Sequence, residues 1–275
     1  MAMKKFEGIL ICTDLDGTLL NSASQISKEN LAAIEYFKKE GGLFTFFTGR
    51  MPFFVENIYS VVDPNAPFGC INGGGIYDHR RKEYLWTRGI DYDALELVAY
   101  IDRELPTMGI QVNTFDKIYF SKENAAMKRF REITGLPNLV KPYAEVEEPL
   151  AKIVFGDMDL DQIRRLDELL HSHPKAKNFD FIHSEDTLYE ILPKNSGKAS
   201  LLPRFEELLH ISHNKLIAVG DYYNDLEMIR CAGVGVAVAN AMPEVKAVAD
   251  YITVSNDENA IAQIIYDIEN GVLPV

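Results

Sequence analysis

Short runs of uninterrupted apolar residues recur along the chain, and each ends in a polar or glycine-containing cluster. Ile9-Leu10-Ile11-Cys12 leads into Thr13-Asp14, and Leu43-Phe44-Thr45-Phe46-Phe47 into Thr48-Gly49-Arg50. Phe68-Gly69-Cys70-Ile71 leads into Asn72-Gly73-Gly74-Gly75, and Leu216-Ile217-Ala218-Val219 into Gly220-Asp221. A strand covered on both faces is apolar at nearly every position, and sheets covered on both faces are built from parallel strands joined by helices. Helical patterns separate the runs. Ser27 is placed to cap the first, with Asn30 where a capping-box Glu would sit, and Gly41-Gly42 stops it. Residues 52–62 read as a second helix, so the first ninety residues predict a parallel sheet with strand 68–71 as its third member.

The middle of the chain has a different rhythm. Helical patterns over 92–105, 122–133 and 160–171 alternate with short strands near 110–115, 117–120, 152–155, 179–183 and 188–192, and 135–149 reads as a loop. From residue 197 the parallel pattern returns, with helices over 197–209, 225–231, 243–249 and 260–269 and strands over 215–220, 234–238 and 251–254. The expected fold is α/β, a Rossmann-like parallel-sheet core made of residues 1–86 and 191–275, interrupted by an inserted α+β cap over 87–190. A length of 275 residues suits two such units.

Composition narrows the partners. The 28 basic and 41 acidic residues give a net charge of −13. That excess argues against nucleic-acid binding and against docking on anionic lipid. No run approaches the ~20 apolar residues of a membrane span. The basic start, Met1-Ala2-Met3-Lys4-Lys5, is followed by too short an apolar run for a secretory signal. The cysteines, Cys12, Cys70 and Cys231, are odd in number and far apart, so neither a disulfide framework nor a zinc site is expected, and the setting reads as a reducing cytoplasm. A monomer or weak homodimer is expected.

In open α/β sheets, ligands bind beyond the carboxyl ends of the strands. Asp14, Asp16, Asp221 and Asp225 are expected to converge there. Four neighbouring carboxylates repel one another without a cation, and an oxygen-only donor set suits Mg²⁺. A carboxylate at a strand end can attack phosphorus, and a second one two residues on can pass a proton to the leaving oxygen. Lys198 offers a point charge to a phosphoryl group. Thr48, with the backbone N–H groups of Gly49 and Arg50, offers hydrogen-bond donors.

These residues carry a resemblance. Asp14-Leu15-Asp16-Gly17-Thr18-Leu19-Leu20 resembles the first motif of the haloacid dehalogenase superfamily, Thr48-Gly49-Arg50 the second, Lys198 the third, and Gly220-Asp221-Tyr222-Tyr223-Asn224-Asp225 the fourth. The tail residues Asn240-Ala241, Ala249-Asp250 and Asn256-Asp257-Glu258, with the long insertion, resemble the Cof-type subfamily with a large α/β (class IIB) cap. The resemblance implies a Mg²⁺-dependent phosphatase of small phosphorylated metabolites working through an aspartyl-phosphate. It makes Asp14 the nucleophile and a metal ligand, and Asp16 the general acid/base and a ligand through its main-chain carbonyl. It makes Asp221 a metal ligand supported by Asp225, has Asn224 help hold the metal or the phosphate, and gives phosphate binding to Thr48 and Lys198. Asn72 reads equally as a residue facing the substrate and as a plain turn residue. Departures such as Ala199 after Lys198, where glycine is usual, touch none of the chemistry. A phosphomutase and a non-catalytic phosphometabolite binder are the alternatives. Within the insertion, His183, Glu185 and Tyr189 are candidates for substrate selection.

Overall fold

In the computed structural model, which describes residues 4–273 and 275, the chain divides into two units. One runs to Trp86 and resumes at Gly197; the other spans Thr87–Ser196. Met1, Ala2 and Met3 of the basic start lie outside the described residues.

The first unit opens with β1 (Leu10–Thr13), buried at all four positions. Helix α1 (Lys28–Lys39) follows, and Ser27 caps it by accepting the Asn30 N–H at 3.1 Å. The Asn30 side chain does not complete a capping box, because its Oδ1 accepts from the Ala262 N–H at 2.9 Å. After β2 (Leu43–Phe46) comes a 3₁₀ turn, Pro52–Phe54, and then α2 (Glu56–Val62). The single helix expected over 52–62 is therefore broken at Val55.

Strand β3 (Phe68–Cys70) departs from expectation as well. It joins β2 through one parallel bridge, Phe47 to Gly69, and pairs antiparallel with β4 (Gly75–Asp78) in a three-stranded sheet completed by β5 (Glu83–Thr87). The cause is the turn between β3 and β4. Ile71, Asn72 and Gly73 have φ of 56°, 47° and 92°, which reverses the chain at once instead of launching a crossover helix.

The second unit contains α3 (Ala94–Glu104), β6 (Gly109–Thr114), β7 (Ile118–Lys122), α4 (Ala125–Thr134), β8 (Leu150–Gly156), α5 (Leu160–Ser172), β9 (Phe179–Glu185) and β10 (Leu188–Pro193). Its five strands form an antiparallel sheet in the order β7-β6-β8-β10-β9. Val112, Ile153, Phe155 and Ile191 on one face join Leu97 and Ile101 of α3 and Ile163 and Leu166 of α5 in a closed apolar core. The boundary expected at residue 190 falls inside β10, whose pairing with β9 continues to Pro193. A strand cannot be divided from its ladder, so the unit extends to Ser196.

The chain then returns through a 3₁₀ turn, Lys198–Leu201, into α6 (Leu202–Leu209). It continues with β11 (Leu216–Gly220), α7 (Leu226–Cys231), β12 (Val234–Ala237), α8 (Pro243–Val248), β13 (Tyr251–Ile252) and α9 (Ala260–Glu269). The parallel sheet has the order β13-β12-β11-β1-β2. Strand order reverses at β1, which has β2 on one side and β11 on the other, and that is where an open α/β sheet leaves a crevice. No described helix is long and apolar enough to cross a membrane.

Gly73 joins the two halves of the first unit. A Cβ at this position would stand 2.1 Å from the Gly197 carbonyl oxygen, and its φ of 92° belongs to the region glycine favours. Gly73→Ala should therefore lower unfolding free energy by about 3 kcal/mol or more, read as a drop in the urea midpoint.

Candidate active site

The register of the parallel sheet builds the site. Thr13 on β1 pairs with Val219 on β11, and the Asp14 N–H donates to the Val219 carbonyl at 2.8 Å. Asp14 thus leaves its strand beside the point where Gly220-Asp221 leaves the next. Carboxylate oxygens of Asp14, Asp221 and Asp225 come within 4.8 Å of one another. The Lys198 ammonium sits among them and donates to Asp14 Oδ1 at 2.5 Å and to Asp225 Oδ1 at 2.6 Å. The side chains of Lys198 and Asp225 are wholly buried.

Three carboxylates against one ammonium leave negative charge in excess. Burial pushes the Asp14 carboxyl well above the ordinary range; Lys198 opposes the shift, and Asp225 and Asp221 add to it. Burial and then Asp225 push Asp221 up to about 7, against the Thr18 hydroxyl, which donates to its Oδ1 at 2.6 Å. Burial pulls the Lys198 ammonium down, but Asp14 and Asp225 overcome it and hold the group above its ordinary value. An oxygen-only set that lacks positive charge fits a hard divalent cation.

Asp225 has a structural duty besides its charge. Its Oδ2 accepts the N–H groups of Asp221 at 3.0 Å and Tyr222 at 3.2 Å, so one carboxylate fixes both the Lys198 ammonium and the loop bearing Asp221. Two glycines make room. A Cβ on Gly220 would lie 2.5 Å from the Asp225 Cβ, and one on Gly17 would lie 2.4 Å from Asp221 Oδ2.

The remaining expected residues divide. The Asp16 side chain stands outside the acidic triad, more than half exposed, and Arg50 grips it as a fork with Nε to Oδ2 at 2.8 Å and a terminal nitrogen to Oδ1 at 2.6 Å. Thr48 is buried, and its hydroxyl oxygen accepts the Arg50 N–H at 3.1 Å. Asn72 is fully buried and ties three loops together: its N–H donates to the Thr48 carbonyl, its amide packs against Gly49, and its Oδ1 accepts from Asn224 Nδ2 at 3.1 Å. Asn224 is thereby bound to Asn72. Of the cap candidates, Tyr189 belongs to the packed core, its hydroxyl donates to Asp167, and His183 stacks edge-on against its ring at 4.5 Å. Glu185, at the end of β9, lies 3.9 Å from Arg129.

Thr18, Asn240 and Asn256 stand in the motifs that carry the resemblance, but sequence reasoning gave them no role. Asn240 Nδ2 donates to the Gly17 carbonyl at 2.8 Å, its Oδ1 accepts the Asn256 N–H, and Asn256 Nδ2 donates to the Leu20 carbonyl. These bonds fasten the loop after Asp14 to the C-terminal segment. Apart from the motif resemblance, their sequence signal is short polar residues after apolar runs, which also marks ordinary turns.

Comparison with known proteins agrees with the fold. The family of haloacid dehalogenase-like hydrolases matches residues 11–265, and the chain belongs to it. Among curated relatives, the 5-amino-6-(5-phospho-D-ribitylamino)uracil phosphatase YwtE of Bacillus subtilis (strain 168) is 29% identical, over 95% of this chain and 98% of its own. Phosphatase YwpJ of the same organism is 27% identical, over 93% of this chain and 98% of its own. Among solved structures, a haloacid dehalogenase-like hydrolase from Bacteroides thetaiotaomicron superposes with a TM-score of 0.83 at 26% identity, over 95% of this chain and all 100% of the other.

Two outcomes test the charge balance. Folded Asp14 and Asp221 retain protons that the unfolded chain has released, so the metal-free protein should lose stability as pH rises from the ordinary carboxylate range through about 7. A cation that neutralises them should accordingly raise Tm more at about pH 7.5 than at about pH 5, measured by thermal melts with and without Mg²⁺. Lys198→Met should cost about 3–5 kcal/mol in the metal-free protein, because it strands two buried carboxylates, and added Mg²⁺ should recover part of the loss.

Proposed function

We propose that this chain is a Mg²⁺-dependent phosphomonoesterase that acts on small phosphorylated metabolites, sugar phosphates or similar esters, through an aspartyl-phosphate on Asp14. The observation that carries the reading is the buried Lys198 ammonium held between Asp14 and Asp225 with Asp221 alongside. The phosphatase names of the relatives support it.

Asp14 Oδ attacks phosphorus, and the bond from phosphorus to the substrate oxygen breaks. Asp16 gives that oxygen a proton, then takes one from the water that attacks the acyl-phosphate, releasing inorganic phosphate and restoring Asp14. The Arg50 fork occupies both carboxylate oxygens of Asp16, so the first transfer requires that contact to open, and an arriving phosphoryl dianion competes for the same guanidinium. Lys198 and the Thr48 hydroxyl, with the N–H group of Gly49, would meet the charge that develops on the phosphoryl oxygens. Mg²⁺ held by Asp14, the Asp16 carbonyl and Asp221, with Asp225 and Asn224 behind them, would supply the positive charge the cluster lacks. A cytoplasmic setting, a monomer or weak homodimer, and the absence of nucleic-acid or membrane partners belong to the same proposal, which the net charge of −13 supports.

The test is release of phosphate from p-nitrophenyl phosphate and a panel of phosphometabolites, with Mg²⁺ and with chelator. Hydrolysis that stops on chelation is expected, and Asp14→Asn should reduce kcat by at least about a thousandfold with the fold intact by circular dichroism. Interconversion of sugar-phosphate isomers without net phosphate release would mark a mutase. No turnover of any substrate would contradict the enzyme reading.

A further inference from the structure

The turn between β3 and β4 is more strained than a chain reversal needs. Asn72-Gly73 alone can make a tight turn, since both residues accept a left-handed backbone. Here Ile71 has positive φ as well, at 56°, ahead of Asn72 at φ 47° and ψ 44°. A β-branched residue crowds its own backbone in that region. Such conformations are costly and persist only where surrounding contacts enforce them, most often beside a functional site.

The contacts here all reach the catalytic loops. The Ile71 N–H donates to the Arg50 carbonyl at 3.1 Å, and the Asn72 N–H donates to the Thr48 carbonyl at 3.1 Å. The turn therefore holds the carbonyls on either side of Gly49. In a trans peptide the C=O and the following N–H point in opposite directions, so fixing the Thr48 carbonyl on Asn72 turns the Gly49 N–H away from the turn. The Asn72 side chain extends the hold. It is fully buried, and its Oδ1 accepts from Asn224 Nδ2 at 3.1 Å. A Cβ on Gly49 would lie 2.9 Å from both its Nδ2 and its Oδ1. Asn224 precedes Asp225, whose carboxylate holds Lys198 and the loop of Asp221.

One residue thus ties two loops of the first unit, Thr48–Arg50 through its backbone and Asn224–Asp225 through its side chain. Residues at home in the left-handed region are few. Glycine brings no acceptor, and aspartate would add another carboxylate where positive charge is already short. We propose that Asn72 is a positioning residue, which sets the Thr48–Gly49 peptide against the Asn224–Asp225 loop and so aligns the phosphoryl group with Asp14 while touching no substrate. The inference rests on the phosphomonoesterase reading.

Asn72→Gly tests it in the full chain with Mg²⁺. Glycine accepts φ of 47° and keeps the N–H, so the substitution cuts only the side-chain link. A misplaced reacting group slows chemistry on every substrate alike, whereas a lost substrate contact does not. With hexose, pentose and glycerol phosphates and p-nitrophenyl phosphate, kcat should fall about tenfold to a hundredfold by one common factor, with each KM within about twofold of wild type. A loss that differs from ester to ester would make Asn72 a substrate contact and overturn the inference. So would a lowered Tm with kcat unchanged, which marks a purely structural role. If Asn72→Gly folds poorly, Asn72→Ser decides by the same comparison, because it keeps a polar group but is one bond too short to reach Asn224. A wild type that hydrolyses none of these esters overturns the functional reading, and this inference with it.

Discussion

The first unit is organised around one ammonium group. Lys198 is wholly buried, and an ion there is tolerated only because Asp14 and Asp225 lie within 2.6 Å of it. Those carboxylates come from sequence positions 184 and 27 residues away, and their convergence requires the strand order, the tight glycine contacts and the reversed turn after β3. The same requirement leaves the site short of positive charge, since Asp221 enters as a third carboxylate. The fold therefore carries a deficit at one point, and a divalent cation with a phosphoryl group is the chemistry suited to that point.

This also reconciles an acidic protein with an anionic substrate. Net charge acts through solvent and is screened beyond about 10 Å at ordinary salt, whereas the Lys198 site acts at contact distance in a medium that screens weakly. Arg50 adds a second cationic group at the rim, presently occupied by Asp16. The rest of the acidic excess can remain on the surface without opposing the site.

Much of the parallel core was legible because its strands are buried on both faces and show it as unbroken apolar runs. Asp14 and Asp221 were legible for the same reason, standing where such runs stop. The Arg50–Asp16 fork was not, because nothing in a sequence reports which of several charged neighbours will pair across 34 residues. The β4–β5 hairpin was missed because short mixed strands resemble loops. The second sheet misled in a more instructive way. Ile110-Gln111-Val112-Asn113 alternates as a strand with one wet face does, so its polar members drew no notice while His183 and Tyr189 did. In the structure the polar half is buried and the two rings stack on the core side. Alternation shows that a strand has two faces; it does not show what covers them.

The central claim is that Asp14 becomes covalently phosphorylated. The most direct measurement is to quench turnover in acid, reduce the protein with borohydride and locate the reduced residue by peptide mass. A phosphorylated carboxyl is reduced where a free one is not, so the account predicts homoserine at position 14, formed only when both substrate and Mg²⁺ are present. Sustained phosphate release with Asp14 unmodified, or with the mark on another residue, would contradict it.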